Sequence, residues 1–177
     1  MSRVGTQEDA HVTEAEDGRL AELYVRHAAE AIRLAYMLTG DRMLAEDLVQ
    51  DAFVKLAGRL VHLRDPDAFD AYLRRTVVNL ANSYFRRKRV ERAYLRRSAA
   101  EPRMVGAAHD VDRRDELWQD LQRLPSRQRT AIVLRIYEDL PERRVAEILG
   151  CRPGTVRSLV SRGLAELRIR VRSDDDG

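Results

Sequence analysis

A single cysteine, Cys151, leaves no partner for an intramolecular disulfide, which fits a chain kept in a reducing compartment. Proline and glycine are scarce, 5 and 9 among 177 residues, too few for a sandwich or a fold built from loops. Aromatic residues make up only 6% of the chain, so any core is thin and aliphatic. No apolar run approaches the roughly 20 residues needed to span a bilayer. The opening MSRVGTQEDAHVTEAEDG lacks the apolar centre of a signal peptide. The expected protein is therefore soluble and cytoplasmic. Of the four histidines, His11, His62 and His109 fall in expected loops without ligand spacing, and His27 lies on a helical stripe as a packed ring. No metal or other cofactor is expected.

What the sequence has in abundance is Ala, Leu, Arg and Glu, which favour helix. Charged residues reach 34%, yet the net charge is only +3. Acid sits at both ends and base in two internal blocks, and that distribution says more than the sum. Residues 1–18 are polar and aperiodic, the pattern of a disordered acidic segment. Helical spacing begins at Arg19, with Leu20, Leu23, Tyr24, His27, Ala31, Leu34, Ala35 and Leu38 on one stripe. It ends at Thr39-Gly40. Asp41 is an N-cap for a second helix whose inner face is Ala45, Leu48, Val49, Ala52, Phe53, Leu56 and Leu60. Asp47, Gln50 and Asp51 cluster on its outer face. On spacing alone that is a solvated acidic face.

A loop follows from Val61. Asp65 and Pro66 then open a long helix as cap and first residue. Phe69, Tyr72, Leu73, Thr76, Val77, Leu80, Ala81 and Tyr84 form its expected buried stripe. Arg75, Asn79, Asn82 and Arg86 share another face. The run FRRKRVERAYLRR continues it with a lone Glu91 among seven bases. A basic run that extends an Asn-rich face beside aromatics points to nucleic acid. Residues 98–112 are small, aperiodic and interrupted by Pro102 and Gly106, the marks of a linker. Periodicity returns with Leu117, Trp118, Leu121 and Leu124, breaks at Pro125, and resumes with Ile132, Val133, Ile136 and Tyr137. The acidic end, 173–177, is expected to fray. No strand alternation persists, so the fold class is all-α, in two small domains: 19–97 and 113–172.

The clearest element lies in the second of these. In LPERRVAEILG, Pro141 suits a first helical position. Val145, Ile148 and Leu149 repeat at helical spacing, Ala146 is small where two helices touch, and Gly150 allows a left-handed stop. In GTVRSLVSRGLAELRIRVR, Val156, Leu159, Val160, Leu164 and Leu167 face inward while Arg157, Ser158, Ser161 and Arg162 face outward. Cys151 is a small apolar residue of the turn, packed rather than reactive. A plain αα-hairpin with a solvated basic face would share some of these features. Small Ala, turn Gly and one-sided Arg together favour a helix-turn-helix, whose second helix enters the DNA major groove.

Taken in order, LAEDLVQDAFVKL, DAFDAYLRRTVVNLANSYFRRKR, LQRLPSRQRTAIVLRIYEDL and ERRVAEILGCRPGTVRSLVSRGLAELR resemble a bacterial sigma factor of the extracytoplasmic-function (ECF) type. The likeness runs from about Arg19 to Arg172. It implies that Asp47, Gln50 and Asp51 bind the β′ clamp of core RNA polymerase, against the solvated-face reading. It implies that Leu63 and Arg64 lie in the loop that captures a flipped promoter base. Arg75, Asn79, Asn82 and Arg86 become the face that opens and reads the minus-ten element. Thr155, Arg157, Ser158 and Arg162 meet the minus-thirty-five element, and Arg152 and Arg168 meet phosphates. The implied partners are core polymerase (β′ clamp and β flap), promoter DNA and an anti-sigma protein. Two positions depart from the family pattern. Leu159 stands where many members carry a basic residue, which implies one DNA contact fewer, and Pro141 replaces the usual Ser or Thr.

A helix-turn-helix regulator that binds duplex operator without polymerase would account for 140–172 but leave 41–97 without a role. No constellation of nucleophile, base and pocket supports an enzyme.

Overall fold

A computed structural model describes residues 5–58, 66–97 and 113–175. Every described element is helical: α1 (Gly5–Thr39), α2 (Arg42–Ala57), α3 (Pro66–Arg97), α4 (Arg113–Arg123), α5 (Ser126–Ile132), α6 (Glu142–Leu149) and α7 (Pro153–Asp175), with a π-helical turn, Val133–Tyr137, continuing α5. The all-α class agrees with expectation. Two ends do not. Helix begins at Gly5 rather than Arg19 and runs to Asp175 rather than stopping before 173. Nucleation is the costly step in a helix, so residues attached to a packed helix add turns at little cost.

The chain packs into two compact units, Met1–Val77 and Val78–Gly177. In the first, α1 lies along α2 through a link of Gly40 and Asp41. Gly40 takes φ 72°, a left-handed value that suits glycine. Asp41 caps α2 as expected: its Oδ1 accepts from the Leu44 amide at 3.1 Å. Leu23, Ala31, Leu34, Ala35 and Leu38 are buried against Ala45, Leu48, Val49, Ala52, Phe53 and Leu56. The alanines let the two backbones approach, and a cluster of four rings adjoins them. Phe53 sits 4.9 Å from Tyr24 and 5.7 Å from Phe69, and Phe69 lies 5.5 Å from His27. Aromatic pairs at such offsets add to their area burial. His27 is packed in this cluster, with Nδ1 3.9 Å from Asp70. Tyr72 is not part of it. It is 48% exposed, although its spacing suggested the core.

In the second unit the later turns of α3 meet α5. The Arg129 guanidinium lies 4.8 Å over the Phe85 ring and its Nη1 donates to Gln122 O at 2.7 Å. Arg129 is only 4% exposed, and burial pushes its pKa down to about 10, still high enough to keep it charged at neutral pH. The residues 98–112, expected as a linker, lie outside the described residues.

Val133 and Leu134 are buried, but Ile136 and Tyr137 are exposed, contrary to the regular spacing read from the sequence. A π turn closes i→i+5 bonds, seen here between Glu138 N and Val133 O at 3.0 Å. It inserts angular offset and swings the following residues off the buried stripe. The chain then turns at Asp139 (φ 47°), a residue type that tolerates the left-handed region. Arg135 holds the turn by donating Nη1 to Leu140 O.

Pro141 is the N-cap of α6, one place before its expected position. Its ψ of 145° is extended, and its carbonyl accepts from Val145 N at 3.1 Å. Gly150 ends α6 in the left-handed region, φ 60° and ψ 44°. Cys151 N bonds to Ala146 O at 3.0 Å and Gly150 N to Glu147 O at 3.4 Å, the two bonds of a Schellman cap. Cys151 itself is half-buried. Val145, Ala146 and Ile148 of α6 are buried with Val156, Leu159 and Leu167 of α7.

Gly163 sets how closely α7 approaches α5. A Cβ there would lie 2.6 Å from Ile132 Cδ1 and 3.4 Å from Gln128 Cβ. A mid-helix glycine costs about 1 kcal/mol against alanine, so its presence marks this close contact. Gly163→Ala is expected to be near neutral, because the propensity gain offsets a shift of one terminal methyl. Gly163→Val adds branches toward both neighbours and should lose about 1–3 kcal/mol, read as a fall in the urea midpoint at constant slope.

Candidate polymerase and nucleic-acid surfaces

Burying one face of α2 against α1 forces the other outward. Asp47, Gln50 and Asp51 are exposed there, as the spacing required. The same face carries two apolar side chains that lie off the buried stripe. Met43 is 78% exposed and Val54 is 73% exposed. At 43, 47, 50 and 54 they follow helical spacing, so the surface is an acidic and amide patch flanked by apolar ends. Leu63 and Arg64 lie outside the described residues.

On α3, Arg75, Asn79 and Arg86 are exposed and Asn82 is half-buried. Thr130 Oγ lies 3.4 Å from the Asn82 amide oxygen and gives its proton to Ser126 O at 2.8 Å. Within this unit Asn79, Asn82, Arg86 and Arg89 line an open polar cavity of about 490 Å³ with Ser126 and Arg127. Arg87, Lys88 and Arg89 are exposed as well. Lys88 Nζ bonds to the Tyr84 hydroxyl at 3.2 Å and stands 5.3 Å over the Tyr84 ring. Exposed Tyr72 falls in line, at helical spacing, with Arg75 and Asn79. It supplies a flat ring to the start of that face, a feature the periodicity hid because Tyr72 also fits the apolar stripe.

The outer face of α7 presents Thr155, Arg157, Ser158, Arg162 and Arg168, with Arg152 just before the helix, all exposed. Ser158 Oγ donates to Gly154 O at 3.0 Å and Arg162 Nε to Ser158 O at 3.1 Å. Arg157 reaches α6: Nε lies 3.3 Å from Glu142 Oε2 and Nη2 3.2 Å from Oε1. Leu159 is buried in the α6–α7 core. It fills an inward position of the motif.

A helix-turn-helix with a basic, arginine-bearing second helix, preceded by a helical unit with an acidic outer face and a basic, Asn-bearing helix, defines a DNA-binding transcription protein of two regions. The sigma-70 region 2 model matches residues 23–91 and the sigma-70 region 4 model residues 114–167. The RNA polymerase sigma-E factor of Streptomyces coelicolor is 34% identical over 148 residues, covering 83% of this chain and 83% of that protein. The ECF RNA polymerase sigma factor SigE of Mycolicibacterium smegmatis is 36% identical over 153 residues, covering 83% of this chain and 59% of that one. Among solved structures, CnrH in complex with the cytosolic domain of CnrY superposes with TM-score 0.61 at 25% identity, covering 92% of this chain and 95% of that chain. The chain belongs to the sigma-70 family, in its ECF branch. It is a sigma factor, which directs promoter-specific transcription.

Proposed function

We propose that the surfaces described above divide the work of initiation between them. The acidic patch of α2, Asp47, Gln50 and Asp51 with Met43 and Val54 at its ends, binds the β′ clamp of core RNA polymerase. The region 4 domain, 113–172, meets the β flap and reads the minus-thirty-five element. The region 2 domain, 19–97, opens and reads the minus-ten element through Arg75, Asn79, Asn82 and Arg86, with Leu63 and Arg64 capturing a base. The segment 98–112 links them, since it falls between the two matched regions. Tyr72 offers a platform for an unstacked base, a contact worth roughly 1–3 kcal/mol. The protein has no catalytic activity of its own and works in the cytoplasm. An anti-sigma protein holds it inactive, a reading supported by the similar chain CnrH, which was solved with a cytosolic partner domain.

The observation that carries this reading is the outer face of α7. Thr155, Arg157, Ser158 and Arg162 are exposed together on one side while Val156 and Leu159 on the other are buried. Such a face docks in the major groove by its early residues, and an arginine there pairs bidentately with guanine O6 and N7. Arg152 and Arg168 contact phosphate, which positions without specifying. The test separates the two roles. Arg157→Ala is expected to flatten preference among minus-thirty-five sequences by about 1–3 kcal/mol at one position. Arg168→Ala should weaken all sequences alike and reduce the salt slope by about one. Equal loss on every sequence from Arg157→Ala would make it another phosphate contact.

A further inference from the structure

Arg157, a candidate base reader, is engaged by a carboxylate of another helix, Glu142. The contact joins α7 to α6 across 15 positions of sequence. The pair is two-pronged, with Nε on Oε2 and Nη2 on Oε1. A guanidinium carries five N–H groups in a rigid plane. This contact uses Nε–H and one proton of Nη2. It leaves the Nη1 and remaining Nη2 protons, which form the end-on edge that matches guanine O6 and N7. The carboxylate therefore occupies one side of the fork and leaves the reading side free.

The two side chains are unequally held. The Arg157 side chain is 76% exposed, whereas that of Glu142 is 27% exposed. Glu142 also stands in the first turn of α6, where the helix dipole favours a negative charge. Glu142 is thus the more enclosed partner and Arg157 the longer, more exposed one. An arginine free to sweep its rotamers can satisfy itself on any nearby phosphate oxygen. One held by its Nε edge presents a single plane, and its charge is largely cancelled for more distant phosphates.

We propose that Glu142 is a positioning residue that turns Arg157 from a general DNA contact into a base-discriminating one. The inference rests on the reading of α7 given above. It assigns Glu142 two effects on duplex DNA: it sharpens the preference at the base facing Arg157, and it lowers affinity for unrelated sequence by adding a negative charge beside the backbone.

The test uses the full chain reconstituted with core RNA polymerase, titrated on duplexes in which each minus-thirty-five base pair is substituted in turn, over a range of salt. Glu142→Ala is expected to reduce discrimination at the Arg157 position by roughly threefold to tenfold, a part of what a bidentate arginine supplies. It should raise affinity for unrelated duplex and steepen the salt slope by about one, as a freed arginine engages phosphate. Glu142→Gln keeps an acceptor but not the charge, and should fall between wild type and alanine in discrimination. The double variant with Arg157→Ala should discriminate no worse than Arg157→Ala alone. Exposed ion pairs add little to stability, so thermal midpoints should match wild type. If Glu142→Ala leaves the preference intact while Arg157→Ala abolishes it, the positioning role is wrong and the reading of α7 stands. If affinity rises on all sequences with unchanged discrimination, Glu142 is only a charge screen, and the proposal also fails. If Arg157→Ala changes no preference, the reading of α7 fails and this inference falls with it.

Discussion

Asp47→Ala and Asp51→Ala are each expected to weaken binding to core RNA polymerase by about tenfold to a hundredfold, as truncating charged interface residues does. The midpoint of unfolding should barely move. Both carboxylates are exposed on the side of α2 turned away from Leu48, Val49, Ala52 and Phe53. Neither contributes buried area, and surface changes of this kind stay within about 0.5 kcal/mol. Alanine is also the better helix former, so any stability change should be slightly favourable. Met43→Ser and Val54→Ser probe the apolar ends of the patch. Interfaces gain most from desolvated anchors inside a polar rim, so these should weaken core binding without unfolding the domain. Core affinity by fluorescence titration, beside thermal melts, reads both quantities. Loss of fold in the aspartate variants, or unchanged core affinity, would remove α2 from the polymerase surface.

Elements whose signals were local and redundant were legible in the sequence. Asp41 caps α2 because an acceptor one step before an apolar period has one good use, and its Oδ1 makes the bond to Leu44. Gly150 marks the end of α6 because few other residues accept its φ of 60°. The split of α7 into a buried Val156–Leu159–Leu167 side and an exposed arginine side follows from spacing alone. Features that depend on register or on a second element stayed hidden. The π turn at Val133–Tyr137 leaves no compositional mark, yet it reverses the exposure of Ile136 and Tyr137. Tyr72 satisfies the apolar period but sits at the margin of the stripe, where a long ring can face out. Gly163 looks like a defect until Ile132 Cδ1 is placed against it. Glu142 reads as one more charge in PERR, because its partner is fifteen residues away on another helix. Helix reaches Gly5 although the polar, acidic composition there reads as disorder, because attachment to a packed helix lets such residues extend it.

The roles assigned to α3 and α7 differ in the state of DNA each requires, and Asn79 is where that difference is sharpest. Asn79 is exposed on α3, in line with Arg75 and close to Asn82 and Arg86 around the same cavity. Within a B-form duplex the Watson–Crick edges are paired, so a side-chain amide reaches them only after the strands part. Asn79→Ala should therefore leave closed-complex binding nearly intact, because the arginines of α7 still hold the upstream duplex. It should slow formation of the open complex. One or two hydrogen bonds to an unpaired base are lost, each worth about 0.5–1.5 kcal/mol, or roughly twofold to tenfold in rate per bond. A template already mismatched across the minus-ten element no longer requires unpairing, so part of the lost transcription should return on it. Permanganate reactivity of promoter thymines follows opening directly, and transcription from matched and bubble templates measures the recovery. If Asn79→Ala weakens binding to fully paired DNA as much as Arg157→Ala does, and the bubble restores nothing, then α3 is a second duplex contact. The opening of the minus-ten element would then have to be sought elsewhere in region 2.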